Sequence, residues 1–183
     1  MPYQDDVRSF PMCLLYPDLL KNSVAEITHD DLHRLGVKGL LLDVDNTLTT
    51  HDSQRLEEKV SKWLEMIKGL GIGLTIVSNA SARRVAPFAR RIELEFISRA
   101  GKPLPFGFIR GAKRLGLPLK QCAVVGDQSF TDVLGANLAG IPCIQVLPIL
   151  LEKDKPFMMF KRWLERYIIK AHRKKQLKGK SGD

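Results

Sequence analysis

Gly39-Leu40-Leu41-Leu42-Asp43-Val44-Asp45-Asn46-Thr47-Leu48 decides how this chain is read. Four residues of strand character run without a polar side chain into two carboxylates two positions apart. A strand this uniformly apolar is buried on both faces, the condition of a parallel sheet covered by helices. In an open α/β sheet, ligands bind outside the carboxyl ends of the strands. A carboxylate held there can attack a phosphoryl group and carry it covalently. A second carboxylate beside it can handle protons. Taken alone, the pattern fits a solvated acidic turn equally well, so its weight comes from the rest of the chain.

Three further polar groups fall at the ends of other predicted strands. Ile72-Gly73-Leu74-Thr75-Ile76-Val77 ends in Ser78-Asn79. Lys102 sits in Gly101-Lys102-Pro103, after the short run Leu94-Glu95-Phe96-Ile97. Cys122-Ala123-Val124-Val125 ends in Gly126-Asp127-Gln128-Ser129-Phe130-Thr131-Asp132. Each has an ordinary reading: Ser-Asn as a helix N-cap, Lys-Pro as a loop, Gly-Asp as a turn. Hydroxyl, ammonium and a second pair of carboxylates in this order at successive strand ends are harder to dismiss.

Between them the strands alternate with helices. Strands are predicted at 39–44, 72–77, 94–98, 122–125 and 142–146, and helices at about 54–69, 81–91, 105–116 and 130–139. Ser53 and Ser81 are candidate N-caps, and Gly69, Gly116 and Gly140 candidate stops. The alternation predicts an α/β fold with a doubly wound, five-stranded parallel sheet. Residues 1–35 are a helical lead-in, with Thr28-His29-Asp30-Asp31 as an N-cap and acidic first turn. Residues 36–150 form the core. Residues 151–183 form a basic amphipathic helix and a mobile tail, with Phe157, Phe160, Leu164, Ile168 and Ala171 on one stripe. Lys161, Arg162, Glu165 and Lys170 fall away from that stripe.

The four strand-end groups resemble the four motifs of haloacid dehalogenase (HAD) superfamily phosphatases. Asp43-x-Asp45-x-Thr47 is similar to the first, Ser78 to the second, Lys102 to the third and Gly126-Asp127-x-x-x-x-Asp132 to the fourth. Asn46, Leu48, Gln128 and Thr131-Asp132 look more specifically like the YqeG-type branch of subclass IIIA, as do Leu15-Tyr16-Pro17 and Leu35-Gly36-Val37-Lys38-Gly39. The resemblance implies that Asp43 is a nucleophile forming an aspartyl-phosphate. Asp45 would protonate the leaving alkoxide and then take a proton from the attacking water. Ser78, Asn79 and Lys102 would bind the phosphoryl group. Mg²⁺ would be held by Asp43 and Asp127, with Asp45 contributing its main-chain carbonyl and Asp132 holding a metal-bound water or orienting the site.

Spacing narrows the substrate. About 30 residues separate the first motif from Ser78, and 23 lie between Ser78 and Lys102. Neither interval holds an inserted cap domain, so the cleft is open and suits a phosphate borne on something large. The YqeG-type branch is similar to phosphatidylglycerophosphate phosphatases, which implies hydrolysis of phosphatidylglycerophosphate to phosphatidylglycerol. Alternatives are a phosphatase for nucleic acid ends or phosphoproteins, and a non-catalytic basic RNA-binding module. The core lacks the interleaved aromatics of a stacking platform, so nucleic acid is not an expected partner.

Charge separates the tail from the core. Residues 152–183 hold eleven Lys/Arg and four Asp/Glu, a net of +7 out of +9 for the chain. A basic amphipathic helix can lie at an anionic interface, so the tail is expected to meet an anionic membrane surface. The longest apolar region, Ile141 to Leu151, is broken by Gln145 and Pro148 and falls short of the roughly 20 residues a bilayer span needs. With no secretory pattern at the N-terminus, the expected location is cytoplasmic, peripheral on the inner face of the membrane. Cys13, Cys122 and Cys143 lack metal-ligand spacing and read as reduced thiols. His29 and His33 have no third ligand nearby, and His51 reads as a loop residue.

Overall fold

The structure is a computed structural model that describes residues 14–50, 53–150 and 163–170. The predicted alternation is present. In chain order the elements are β1 (Leu19–Lys21), α1 (His29–Arg34), β2 (Gly39–Leu42), α2 (Glu58–Gly69), β3 (Gly73–Val77) and α3 (Ala82–Arg91). They continue as β4 (Glu95–Ile97), α4 (Phe106–Arg114), β5 (Cys122–Gly126), α5 (Leu134–Ala139) and β6 (Cys143–Val146). The strands form one sheet in the order β1-β6-β5-β2-β3-β4, and every pairing is parallel.

Six strands are present where the sequence predicts five. The extra one, β1, falls where short helices are expected. It is three residues long and half-buried, and it lies at the sheet edge beside β6. A strand this short has no alternation to read, and pairing alone makes it a strand. Asp18 fixes the register: its N–H donates to Cys143 O at 2.9 Å, and its carboxylate accepts from Cys143 N at 2.8 Å.

Both faces of the sheet are covered, which is why the central strands are apolar at every position. Successive side chains of a strand point to opposite faces. Leu40 and Leu42 of β2, with Ala123 and Val125 of β5, pack against Trp63 and Ile67 of α2 and Phe88 of α3. Leu41, Val124 and Cys143 pack on the other side against Phe108 of α4 and Ala136 of α5. Cys122 and Cys143 are free and buried, and burial pushes both thiols up, so they are apolar filling rather than nucleophiles. Cys13 lies outside the described residues.

Helix starts and stops differ from the sequence reading in instructive places. Ser53 does not cap α2: residues 53–57 are not helical, and Glu57 is the N-cap. Ser81 does precede α3, without a side-chain capping bond. Gly69 closes α2 from inside it, whereas Gly116 and Gly140 stand just past α4 and α5 with φ of +67° and +69°. There a left-handed residue ends the helix, and only glycine does so without a steric cost. The helix expected at 130–139 begins as a π turn over Ser129–Val133 before α5.

The Thr28 cap is present as a full capping box. Thr28 Oγ1 accepts from Asp31 N at 3.2 Å, and Asp31 Oδ2 accepts from Thr28 N at 3.0 Å. Asp31 also meets Lys21 of β1 at 2.6 Å and Arg34 at 2.7 Å, so one carboxylate ties the edge strand to α1. Burial alone would push this carboxyl up. Lys21, Thr28 and Arg34 outweigh burial and hold it well below the usual carboxylate range.

A carboxyl with a depressed pKa stabilises the fold above its ordinary pKa, and loses that effect as pH falls through the folded value. Asp31→Asn is therefore expected to cost roughly 1–3 kcal/mol at neutral pH. The gap to the unchanged protein should hold down to about pH 5 and close on further acidification. Urea unfolding followed across pH checks this, and a gap that widens in acid would contradict the assigned network.

Candidate active site

The sheet order puts the four predicted groups on one edge. From β2 the chain winds out to β3 and β4, then returns to the other side of β2 as β5. Such a reversal opens a crevice at the carboxyl ends of the two central strands. Register brings the groups level. Leu42 lies opposite Ile76 on one side and Val125 on the other, so Asp43 emerges beside Val77 and Gly126. Asp43 N donates to Val125 O at 2.9 Å.

Strand β2 stops at Leu42 rather than at 44, because the chain turns at once. Val44 O accepts from the N–H groups of Thr47, Leu48 and Thr49 at 3.0–3.2 Å, and Asn46 N donates to Thr49 O at 2.7 Å. Asn46 closes the turn at φ +63°, a conformation asparagine tolerates better than most residues. The turn leaves Asp43 buried at 7% exposure and Asp45 half-buried at its rim.

Lys102 meets this turn from the loop after β4. Its ammonium is buried and lies 2.6 Å from Asp43 Oδ1 and 2.6 Å from Asp132 Oδ1. Asn79 holds the lysine main chain from both sides. Lys102 N donates to Asn79 Oδ1 at 2.8 Å, and Asn79 Nδ2 donates to Lys102 O at 3.0 Å. Asn79, expected to bind substrate, is thus occupied in placing Lys102. Ser78 is buried, and its hydroxyl oxygen accepts from Ala80 N at 3.1 Å.

The second acidic pair sits on the loop after β5. Asp127 and Asp132 are 1% and 0% exposed. Asp132 Oδ2 accepts from Gln128 N at 3.1 Å. Asp132 lies so close to the strand end that a Cβ on Gly126 would stand 2.3 Å from its Cγ. Glycine at 126 is a requirement of that close approach.

The electrostatics follow from burial. Desolvation pushes the Asp43 carboxyl above the ordinary aspartate range; Lys102 pulls it down and Asp132 pushes it up again. Desolvation works against the Lys102 ammonium as well, but Asp132 and Asp43 outweigh it and keep the lysine charged. Three carboxylates and one ammonium carry a formal −2 between them. Asp43, Asp127 and Asp132 each offer an oxygen within 4.8 Å of the others. An oxygen-only, net-negative donor set of this size suits a hard divalent cation. The neighbouring turn also buries Asn46 Oδ1 and Thr47 Oγ1 without a hydrogen-bond partner among the described residues. Orphaned buried oxygens of this kind are what a bound group or water satisfies. His29 and His33 are exposed and belong to no such cluster among the described residues, and His51 lies outside them.

Three residues at the site have no role in the sequence reading. Arg84 of α3 reaches Asp45 Oδ1 at 2.6 Å and Ser53 O at 3.2 Å. Gln145 of β6, fully buried, donates to Asp127 O at 3.2 Å and to Ser129 Oγ at 2.9 Å. Its polarity inside an apolar strand was the one available clue. Glu165 is a correction. It was expected on the polar side of the C-terminal helix, yet it is 3% exposed and accepts from Ser129 N at 3.1 Å. Ile168 and Leu164 turn inward as expected, while Phe157, Phe160, Lys161, Arg162 and Ala171 lie outside the described residues.

The model for haloacid dehalogenase-like hydrolases matches residues 51–140. "Probable phosphatase YqeG" of Bacillus subtilis (strain 168) is 37% identical over 159 residues, covering 87% of this chain and 92% of that one. The chain belongs to the haloacid dehalogenase-like hydrolases. It is a phosphatase of the YqeG type. "Phosphatidylglycerophosphate phosphatase 1, chloroplastic/mitochondrial" of Arabidopsis thaliana is 28% identical over 169 residues, and the match spans 48% of its length. Among solved structures, an uncharacterized protein from Listeria monocytogenes serotype 4b superposes with a TM-score of 0.54 at 20% identity. That match covers 66% of this chain and 85% of the other, and it shows the shared fold alone.

Gly126→Ala tests how tightly the hydrolase site is built. The added methyl group must push Asp132 off Lys102, so hydrolysis of an aryl phosphate should fall roughly tenfold or more, about 1.4 kcal/mol of barrier. Circular dichroism should stay unchanged. A rate equal to that of the unchanged protein would show that Asp132 has room to move.

Proposed function

We propose that this phosphatase is a Mg²⁺-dependent phosphomonoester hydrolase working through an aspartyl-phosphate, with phosphatidylglycerophosphate as its substrate and phosphatidylglycerol as its product. The observation that carries the chemistry is the buried line Asp43–Lys102–Asp132 at the sheet's switch point, each contact 2.6 Å.

In this reading Asp43 attacks phosphorus, the ester P–O bond breaks, and Asp45 gives its proton to the departing alkoxide. Water then attacks the aspartyl-phosphate, its proton returns to Asp45, and phosphate leaves with Asp43 restored. Lys102 and the Ser78 hydroxyl hold phosphoryl oxygens in line, with Asn79 fixing Lys102 from behind. Arg84 orients the Asp45 carboxylate. Asp43, Asp127 and Asp132 would hold Mg²⁺ with the Asp45 carbonyl, and the bound cation would offset the charge gathered on the phosphoryl group. A pre-set field of this kind, made before the substrate arrives, supplies most of the rate in phosphoryl transfer.

The lipid reading is supported by the relationship to the Arabidopsis phosphatase and by the absence of an inserted domain among the described residues between β2 and β4. An open cleft accepts a phosphate that stays attached to a large carrier. No helix among the described residues is long and apolar enough to cross a membrane. A substrate panel of phosphatidylglycerophosphate, phosphopeptide and 3′-phosphorylated DNA separates this reading from its alternatives. Hydrolysis confined to the peptide or the DNA removes the lipid.

Asp43→Asn is expected to abolish turnover with the fold intact, and acid quenching of the unchanged enzyme should trap phosphate on Asp43. Near-normal kcat in the variant would remove the nucleophile assignment. Asp45→Asn should slow the first half-reaction of alkyl phosphates more than that of aryl phosphates, because an alkoxide needs the proton more. Single-turnover rates measure this, and equal losses contradict the acid role.

Chelation should silence the enzyme and Mg²⁺ restore it, with Asp127→Ala raising the concentration needed. Because burial raises the Asp43 pKa and attack needs the carboxylate, activity should fall on the acid side above the ordinary aspartate range. More Mg²⁺ should move that limb to lower pH, since cation and proton compete for the same oxygens. A limb indifferent to Mg²⁺ would separate the two.

A further inference from the structure

Residues 163–170 form a helix whose four exposed residues are Trp163, Arg166, Tyr167 and Lys170. Their i, i+3, i+4, i+7 spacing sets them on one stripe. The two aromatics are large and outward: Trp163 is 57% exposed and Tyr167 63%. No carboxylate interrupts the stripe. The helix's single acid, Glu165, is on the inner side, where it accepts from Ser129 N, and Ile168 is buried with it. Ser129 belongs to the loop that carries Asp127 and Asp132. The element that bears the stripe is therefore fastened to the acidic loop of the site.

We propose that this stripe is the seat on which the protein rests on an anionic bilayer. Amphipathic aromatic rings settle at the headgroup level of a membrane, and each nearby Lys or Arg adds about 1 kcal/mol at an anionic surface. The composition matches that interface: two aromatics, two cations, and no Asn, Gln or Ser of the sort that reads nucleic acid or peptide edges. In sequence the stripe lies within a segment of the right sign, since residues 152–183 hold +7 of the chain's +9. The inference deepens the lipid-phosphate reading and rests on it for the choice of a bilayer, but it is tested without turnover.

The full chain is floated with vesicles of equimolar phosphatidylglycerol and phosphatidylcholine, and with phosphatidylcholine alone. It should partition to the anionic vesicles. Arg166→Gln/Lys170→Gln should lose about tenfold or more at low salt, with the difference shrinking as salt rises. Trp163→Ser/Tyr167→Ser should lose partitioning at low and high salt alike. The unchanged chain supplies a second measurement. It has two tryptophans, and Trp63 is 3% exposed, so a blue shift of emission on adding anionic vesicles reports on Trp163. Partitioning by both variants equal to the unchanged chain, or no blue shift, overturns the seat. So does a loss that tracks the break-up of a dimer in sedimentation equilibrium, which would give the stripe to a second copy. Hydrolysis of phosphatidylglycerophosphate in detergent micelles is scored separately. Vesicle binding without that hydrolysis supports the seat and removes the substrate; hydrolysis without vesicle binding does the reverse.

Discussion

A charged lysine buried between two buried carboxylates is the constraint on which the site depends. An ammonium taken out of water is costly unless it is paired with good geometry, and Lys102 has Asp43 and Asp132 at 2.6 Å each. The dependence is mutual, because either carboxylate would be as costly without the lysine. The three residues come from three different strand ends, so the pairing joins the loops after β2, β4 and β5 across the switch point. Asn79, at the end of β3, supplies the fourth strand by holding the Lys102 backbone on both sides. The electrostatics of the cleft and the closure of the sheet edge are in this sense one arrangement.

The loop after β5 is held as tightly as its burial requires. Gly126 lets Asp132 fold back against the strand end, and the π turn over Ser129–Val133 spends one extra residue, so that Val133 N at 3.3 Å and Asp132 N at 2.9 Å both donate to Gln128 O. Gln145, whose strand position is opposite Gly126, takes the Asp127 carbonyl and the Ser129 hydroxyl. Glu165 takes the Ser129 N–H from the other side. Gln145 Oε1 is buried without a hydrogen-bond partner among the described residues, and the remaining bonds fix the loop. Rigid carboxylates are what a small, hard cation selects for. By contrast Asp45 sits at the rim, partly buried, against Arg84.

Membership in a phosphatase family names the class of reaction and leaves the periphery to be read from this chain. Nothing described between β2 and β4 encloses the cleft, and the contact of the C-terminal helix with the acidic loop puts an amphipathic surface on the same element. Fold alone does not assign a substrate. The large phosphate carrier we propose rests on local features: the lack of an insertion among the described residues between β2 and β4, a basic C-terminal sequence and an aromatic-cationic stripe.

Much of this was legible in the sequence, and the boundary has a physical cause. Periodicity and turn residues placed the core strands and helices, because uniformly apolar runs of four or five residues have few other places to go. The order Asp43, Ser78, Asp127 was legible for the same reason, since a polar residue closing an apolar strand is delivered to the carboxyl edge of the sheet, and Lys102 was legible as the polar residue of the loop after β4. What sequence could not decide were pairings set by register and by distance along the chain. Strand β1 exists through its neighbour β6, Arg84 on α3 lies 39 residues from the Asp45 it pairs with, and Glu165 on the C-terminal helix meets Ser129 N, 36 residues away. Local pattern fixes which residues must be buried or turned, whereas the identity of a polar partner is fixed by packing, which brings together residues that no period in the sequence connects.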